Sequence, residues 1–201
     1  MGYNPKDHYF KKAKKDNYVA RSIYKLEEID LKYKLFKKND FVLDLGAAPG
    51  SWSQYAVQRV GSRGFVVGVD LQPIKVAFEN ALFLQSDLRD VNFQEILQKI
   101  NIDVDTEKVF NVILSDMAPK TTGIRMTDQA RSAELCELAV RISDQYLKKG
   151  GSLVMKLFHS DDFKEIKKLI LERFQQFQAV KPDSTRKESK EIFLVGLGKK
   201  L

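Results

Sequence analysis

The stretch FVLDLGAAPGSW, residues 41–52, decides how the chain is read. FVLDL (41–45) is a short, mostly apolar run of the kind that forms a buried strand. Gly46 and Gly50 then permit a tight turn and a close approach of backbone to a ligand. From about Trp52 to Arg59 a helix follows, and the N–H groups at its start can face a polar or anionic group. A dinucleotide-binding turn has a related shape, but the spacing here is not G-x-G-x-x-G. On its own the turn is weak evidence for a ligand, because any strand-to-helix connection can use glycine.

The alternation continues outward from this unit. GFVVGVD (64–70), ALFLQ (81–85), VFNVILSD (109–116), GGSLVMKLF (150–158), FQAVKP (177–182) and EIFLVGLG (191–198) read as further strands, which makes seven. Helices are expected at 18–33, 92–100, 128–149 and 161–174, and NIDVDTEK (101–108) reads as a loop. Within 18–33, Val19, Ile23, Leu26, Ile29 and Tyr33 recur at helical spacing, with Lys25 beside that stripe. Within 128–149, Leu135, Leu138, Ala139, Ile142 and Tyr146 share a face, with Thr127 as expected N-cap and Gly150 as C′ residue. The pattern is α/β: a seven-stranded, mostly parallel sheet with helices on both faces. The connection between the last two strands has no room for a crossover helix, so the last strand should be antiparallel. Ligands of such sheets bind at the carboxyl ends of strands. Function is therefore expected after Leu45, at Asp70, after Gln85, at Asp116 and near Lys156.

The totals narrow the classes. A chain of 201 residues, 43% hydrophobic and 30% charged, suits one globular domain. Residues 1–17 read as a basic, mobile N-terminal arm and 18–201 as the domain. No run is long and apolar enough to span a membrane, and the N-terminus lacks the apolar core of a secretory signal. A single cysteine, Cys136, excludes an internal disulfide and fits a reducing, cytoplasmic setting. With two distant histidines, His8 and His159, no metal site is expected. The net charge is +7. Residues 1–38 hold eleven Lys/Arg against five Asp/Glu, and 181–201 hold six against three, so the middle is slightly acidic. Positive charge gathered at both ends points to a polyanion, RNA or DNA, although a solvated lysine-rich surface reads the same way.

Acids at successive strand ends sharpen the picture. Asp70 ends the second strand, where a carboxylate can accept from the two hydroxyls of a ribose. Asp87, in QSDLRD, follows the third and can accept from an adenine amino group. Each alone is more often a cap or turn residue. Together with the glycine turn they suggest a nucleoside pocket. The motifs DLGAAPGSWSQY, VDLQP, SDLRD, LSDMAP, LVMKLF and KPDSTRKESKEIFLVG, in this order from about Tyr18 to Gly198, resemble the FtsJ/RrmJ family of RNA ribose 2′-O-methyltransferases. The resemblance implies a Rossmann-like methyltransferase fold with S-adenosylmethionine as cofactor. It implies that Gly46, Gly50 and Trp52 line the cofactor site, Asp70 holds the ribose, Asp87 contacts the adenine and Asp116 borders the methionine end. The family's usual Gly-Gly-Trp is Gly50-Ser51-Trp52 here.

By the same resemblance a Lys-Asp-Lys-Glu tetrad falls on Lys25, Asp116, Lys156 and Glu191. The residues agree with it: Asp116 and Lys156 lie toward the ends of neighbouring strands, and Glu191 opens an antiparallel one. A sulfonium methyl is already activated, so the protein has mainly to align the 2′-oxygen, which can be worth about 7–11 kcal/mol, and to help remove its proton. A lysine does the latter only when neutral; from an ordinary pKa of about 10.4 this requires a drop of about three units. Burial and a second cation favour such a drop, and neighbouring carboxylates oppose it. Lys156 is expected to be the base or the group that steers the hydroxyl, with Lys25, Asp116 and Glu191 around it. The competing reading is a buried lysine paired with Asp116 for stability alone. A cytosine-C5 mechanism would need a cysteine nucleophile, and Cys136 sits mid-helix between Leu135 and Leu138. The stretch SDMAPK lacks the second proline and aromatic residue seen in adenine-N6 enzymes.

A ribose 2′-OH selects RNA over DNA. Lys6, Lys11, Lys12, Lys14, Lys15, Arg21, Arg186 and Lys187 are candidates for its phosphates, and the loop APKTTGIRMTDQ (118–129) is a candidate for contacts to the target nucleotide. The resemblance favours a uridine in the A-loop of 23S-type rRNA within the large ribosomal subunit, acted on by a monomer. Alternatives are the tRNA anticodon loop or a non-catalytic RNA-binding assembly factor of the same fold. A nicotinamide dehydrogenase of similar topology fits less well, given the glycine spacing and Trp52.

Overall fold

Unbroken apolar strands need cover on both faces, and the chain supplies it. In a computed structural model, which describes residues 8–100 and 108–200, seven strands form one sheet: β1 (Phe41–Leu45), β2 (Phe65–Asp70), β3 (Ala81–Gln85), β4 (Phe110–Ser115), β5 (Leu147–Phe158), β6 (Phe174–Val180) and β7 (Glu191–Lys199). Their order is β3-β2-β1-β4-β5-β7-β6. The first five pair in parallel, and β7 is inserted antiparallel between β5 and β6. The expected fold class holds, with the antiparallel strand seated second from the β6 edge of the sheet.

Alternate residues of each strand enter different cores. Leu43 and Leu45 of β1, with Leu153, Met155 and Leu157 of β5, pack against the helices α4 (Phe93–Lys99), α5 (Arg125–Tyr146) and α6 (Phe163–Arg173). Val42 and Val154 from the same strands, with Phe193 and Val195 of β7, pack against α2 (Ile23–Tyr33) and α3 (Ser51–Val60). This period of two is what a doubly covered sheet requires. Lys156 belongs to the second set of positions, two residues on from Val154, so its side chain lies on the α2/α3 face.

Four expectations change. The N-terminal segment is not featureless: His8–Lys15 is a helix, α1, with Ala13 buried and Lys11, Lys12, Lys14 and Lys15 exposed. A charge run hid one small residue that docks. Residues 1–7, with Lys6, and most of the expected loop 101–108 lie outside the described residues. The helix expected at 18–33 begins only at Ile23. The long helix starts at Arg125, with Ile124 as N-cap residue, so Thr127 lies inside it. It ends at Tyr146, because the apolar Leu147 turns into the sheet and pairs with Phe110. Gly150, at φ +79°, therefore sits within an irregular start of β5 rather than at a helix C′ position. Among the described residues no helix is long and apolar enough to cross a membrane.

Candidate active site

The strand ends open onto two cavities. The first, of about 830 Å³, is walled by Gly46, Asp70, Asp87, Asp116 and Met117, with Leu135 and Leu138 of α5 opposite. Gly46 has φ +76°, and a Cβ there would meet the Met117 side chain at 2.7 Å, so only glycine fits this corner. Asp70 is held by backbone: Ala48 N–H donates to one carboxylate oxygen at 2.9 Å and Gln72 N–H to the other at 2.8 Å. Asp87 receives Arg89 through Nε at 3.0 Å and Nη2 at 2.5 Å. Those hydrogen bonds hold its carboxyl down at about 2. Arg89 lines the cavity as well. Nothing in QSDLRD read as a sequence marked it as a partner of Asp87.

Gly50 and Trp52 are placed differently from the other expected cofactor residues. Gly50 does not line the cavity, and a Cβ there would strike Val76 at 2.4 Å. Trp52 is 2% exposed, donates from Nε1 to Ser22 O at 2.9 Å and lies against the Phe193 ring. Its indole thus clamps the segment before α2 to α3. What these two residues can offer a ligand is backbone, at the head of α3.

Behind this wall Asp44 is fully buried. Ser53 Oγ donates to its Oδ2 at 2.6 Å, while Oδ1 has no hydrogen-bond partner. Burial, with Asp116 and Asp70 nearby, pushes its carboxyl up to about 7. Cys136, on α5, is buried and donates its thiol to Lys156 O at 3.1 Å. Burial pushes that thiol up to about 12, which suits packing and not a nucleophile.

The second cavity, of about 670 Å³, is rich in cations, with Arg21, Lys25, Arg125, Arg186 and Lys190 in its wall alongside the acids Asp128, Glu188 and Glu191. The four tetrad positions form two ion pairs on neighbouring elements. Lys156, 8% exposed, donates from Nζ to Asp116 Oδ1 at 2.8 Å and to Asp116 O at 2.6 Å. Lys25 donates to Glu191 Oε1, and its ammonium lies 5.7 Å from the Phe193 ring centroid. Strand pairing connects the two: Phe193 is opposite Lys156, and Glu191 is opposite Phe158. Asp116 thus lines the first cavity and Lys25 and Glu191 the second, while Lys156 is tied to Asp116. The β4–α5 loop contributes Ala118 and Lys120 to one cavity and Thr121 and Gly123 to the other.

The two basic ends of the chain come together here. Glu28 of α2 accepts from Asp183 N at 2.6 Å and Ser184 N at 3.0 Å, and Arg21 donates to Ser184 O. Arg21 also lies 5.4 Å from the Tyr9 ring of α1. Burial, and then the like charge of Arg186, press its guanidinium below the ordinary value. The β6–β7 loop, with Arg186 and exposed Lys187, is thereby tied beside α1 and α2. Glu28 carried no signal in the sequence beyond being a helix acid.

The fold, with the family matched over residues 18–199, is that of an S-adenosylmethionine-dependent methyltransferase. Aeropyrum pernix fibrillarin, crystallised with natively bound S-adenosylmethionine, shares the fold at TM-score 0.58, with 19% identity over 88% of this chain and 76% of its own. The residues present suit that cofactor: glycine gives close approach, carboxylates stand at three strand ends, and leucines face them. The chain belongs to the family described as FtsJ-like methyltransferase, whose pattern matches residues 18–199. It is 58% identical over 200 residues, all of both chains, to ribosomal RNA large subunit methyltransferase E of Bdellovibrio bacteriovorus. It is 48% identical to the protein of that name in Nitratidesulfovibrio vulgaris, over 96% of this chain and 93% of the other. A Plasmodium falciparum protein solved as a candidate ribosomal RNA methyltransferase matches at TM-score 0.77 and 29% identity, covering 90% of this chain and 98% of that one.

Proposed function

We propose that the protein transfers a methyl group from S-adenosylmethionine to the 2′-oxygen of a ribose in RNA, at a uridine of the A-loop of 23S-type rRNA in the large ribosomal subunit. The observation that carries this reading is the Lys156–Asp116 pair: Asp116 lines the acid-rich cavity, and Lys156 lies on the strand that pairs with β7, whose Glu191 lines the cation-rich cavity with Lys25. The names borne by the relatives support the ribosomal target. On this reading the protein works as a monomer in the cytoplasm.

The cofactor, when bound, supplies the methyl as a sulfonium. Gly46, Asp70, Asp87 and Asp116 would hold it, with backbone of Gly50 and Trp52. Asp116 takes two donor positions of Lys156 Nζ through its carbonyl and its carboxylate. The remaining position on Nζ is left for the ribose hydroxyl, where a neutral amine accepts its proton. Lys25 and Glu191 form the opposite rim and orient the nucleotide through charge and hydrogen bonds. Arg21, Arg186 and Lys187, with Lys11, Lys12, Lys14 and Lys15 of α1, would hold phosphates on either side.

The test is substitution in this pair. Lys156→Ala should lower turnover by about 10²–10⁴-fold, the range of a general acid–base group, with cofactor affinity by calorimetry within a fewfold of wild type. Near-normal turnover would leave Lys156 with a structural role only.

A further inference from the structure

An apolar tip stands beside the cation-lined cavity. Ile124 is 63% exposed and Met126 81% exposed, on either side of Arg125, which lines the cavity. Isolated exposed apolar side chains are common and need no explanation. These two differ in that the backbone displaying them is pinned. Asp128 accepts from Thr122 N at 2.7 Å, Thr122 Oγ1 at 2.9 Å and Gly123 N at 3.2 Å. Thr122 Oγ1 then accepts from Ile124 N at 3.2 Å, and Asp128 N–H closes the turn onto Ile124 O at 3.0 Å. Gly123, at φ +84°, allows the chain to double back. Gln129 adds a tie to His159 O at 2.6 Å, next to the end of β5. The result is a braced, hairpin-like head on α5 that holds two large apolar side chains in water.

We propose that Ile124 and Met126 are positioning residues that press against, and unstack, a nucleobase next to the methylated nucleotide, while Arg125 meets the intervening phosphate. The proposal rests on the reading of the cavity as an RNA site. A ribose 2′-oxygen inside a stacked strand is not free to enter a cleft at the end of a sheet, and Ile and Met are among the side chains that serve as wedges between bases. Bases that leave the stack are held by apolar or aromatic contact, and sequence-specific RNA recognition commonly works on such splayed strands. The tip has the chemistry for the base face, and the surrounding Arg21, Lys25 and Arg186 have the charge for the backbone.

The experiment uses large ribosomal subunits from a strain lacking its own copy of this methyltransferase. Transfer of labelled methyl by wild type, by Ile124→Ala/Met126→Ala and by Ile124→Leu/Met126→Leu is compared, with melting temperature and cofactor affinity as controls. In parallel, p-benzoylphenylalanine at position 126 is photo-crosslinked to the subunits and the attached nucleotide is mapped. The alanine pair should lose at least tenfold in kcat/KM with both controls unchanged. The leucine pair should restore most of that loss, and the crosslink should fall within two nucleotides of the methylated one. Alanine activity within threefold of wild type, no rescue by leucine, or a crosslink elsewhere would overturn the wedge while leaving the methyl transfer established. Absence of transfer by wild type would overturn the functional reading, and the wedge with it.

Discussion

Lys156 is an amine placed where the strand around it is apolar, and its surroundings give it one use beyond packing. Both hydrogen bonds donated by its Nζ go to Asp116, which lines the acid-rich cavity. Removing one partner of such a buried pair strands the other. Lys156→Arg should therefore keep the fold, as judged by its melting temperature, yet fail to restore methyl transfer, because a guanidinium stays charged. Recovery of transfer by arginine would show that charge, not proton removal, is what the site needs. Asp44 supplies a second residue-level expectation. Its carboxyl sits at about 7 in the fold against an ordinary 3.8, so the fold holds that proton more tightly than the unfolded chain does. The stability this contributes is full below about pH 4 and is lost as pH rises through about 7. Asp44→Asn should remove up to about 1.4 kcal/mol per pH unit of that slope in urea titrations run between pH 4 and 7. A profile parallel to wild type would contradict the assignment.

At the scale of elements, α2 is the organiser. Its Lys25 and Glu28 reach the site and the β6–β7 loop, and Asp30 at its end is completely buried. Asp30 accepts from Leu35 N at 2.9 Å, Phe36 N at 3.3 Å and Tyr55 OH at 2.9 Å, and pairs with Arg59 at 2.9 Å. Burial, then the charge of Asp30, raise the Tyr55 hydroxyl above its ordinary value. Asp30→Ala leaves these donors unmet and should cost about 3 kcal/mol, read by urea denaturation; a change under about 1 kcal/mol would show the hub to be dispensable. None of this was visible in YKLEEIDLKY, where Asp30 reads as one more helix acid. The strands were legible because two-sided burial writes unbroken apolar runs, and the strand-end acids because topology gathers them. Helix starts were not legible at Arg125 or His8. In the first case the bracing acid, Asp128, lies inside the helix instead of before it. In the second a lysine run surrounds the single docked residue, Ala13.

Across the whole molecule, tertiary structure converts two separate basic segments into one surface. Arg21, Arg186 and Lys190 line the cavity with Lys25 and Glu191, and Arg21 also reaches the Tyr9 ring of the lysine-rich α1. Sequence charge alone located both ends but not their meeting, which depends on Glu28 and Arg21 gripping residues more than 150 positions away. The resemblance proposes Lys25, Asp116, Lys156 and Glu191 as a set, whereas their arrangement as two ion pairs follows from strand register and side-chain reach. If α1 lies on RNA, replacing Lys11, Lys12, Lys14 and Lys15 by Gln should weaken binding. The slope of log affinity against log salt should shrink by about 0.7–0.9 for each phosphate that is no longer neutralised. An unchanged slope would remove α1 from the interface. The central claim is ribose methylation of large-subunit RNA. Its most direct measurement is labelled-methyl transfer to large ribosomal subunits, free rRNA and tRNA, followed by nucleoside mapping. Label should appear as 2′-O-methyluridine in the large-subunit RNA and vanish with Lys156→Ala. Label on a base, label confined to tRNA, or no label in any RNA would contradict it.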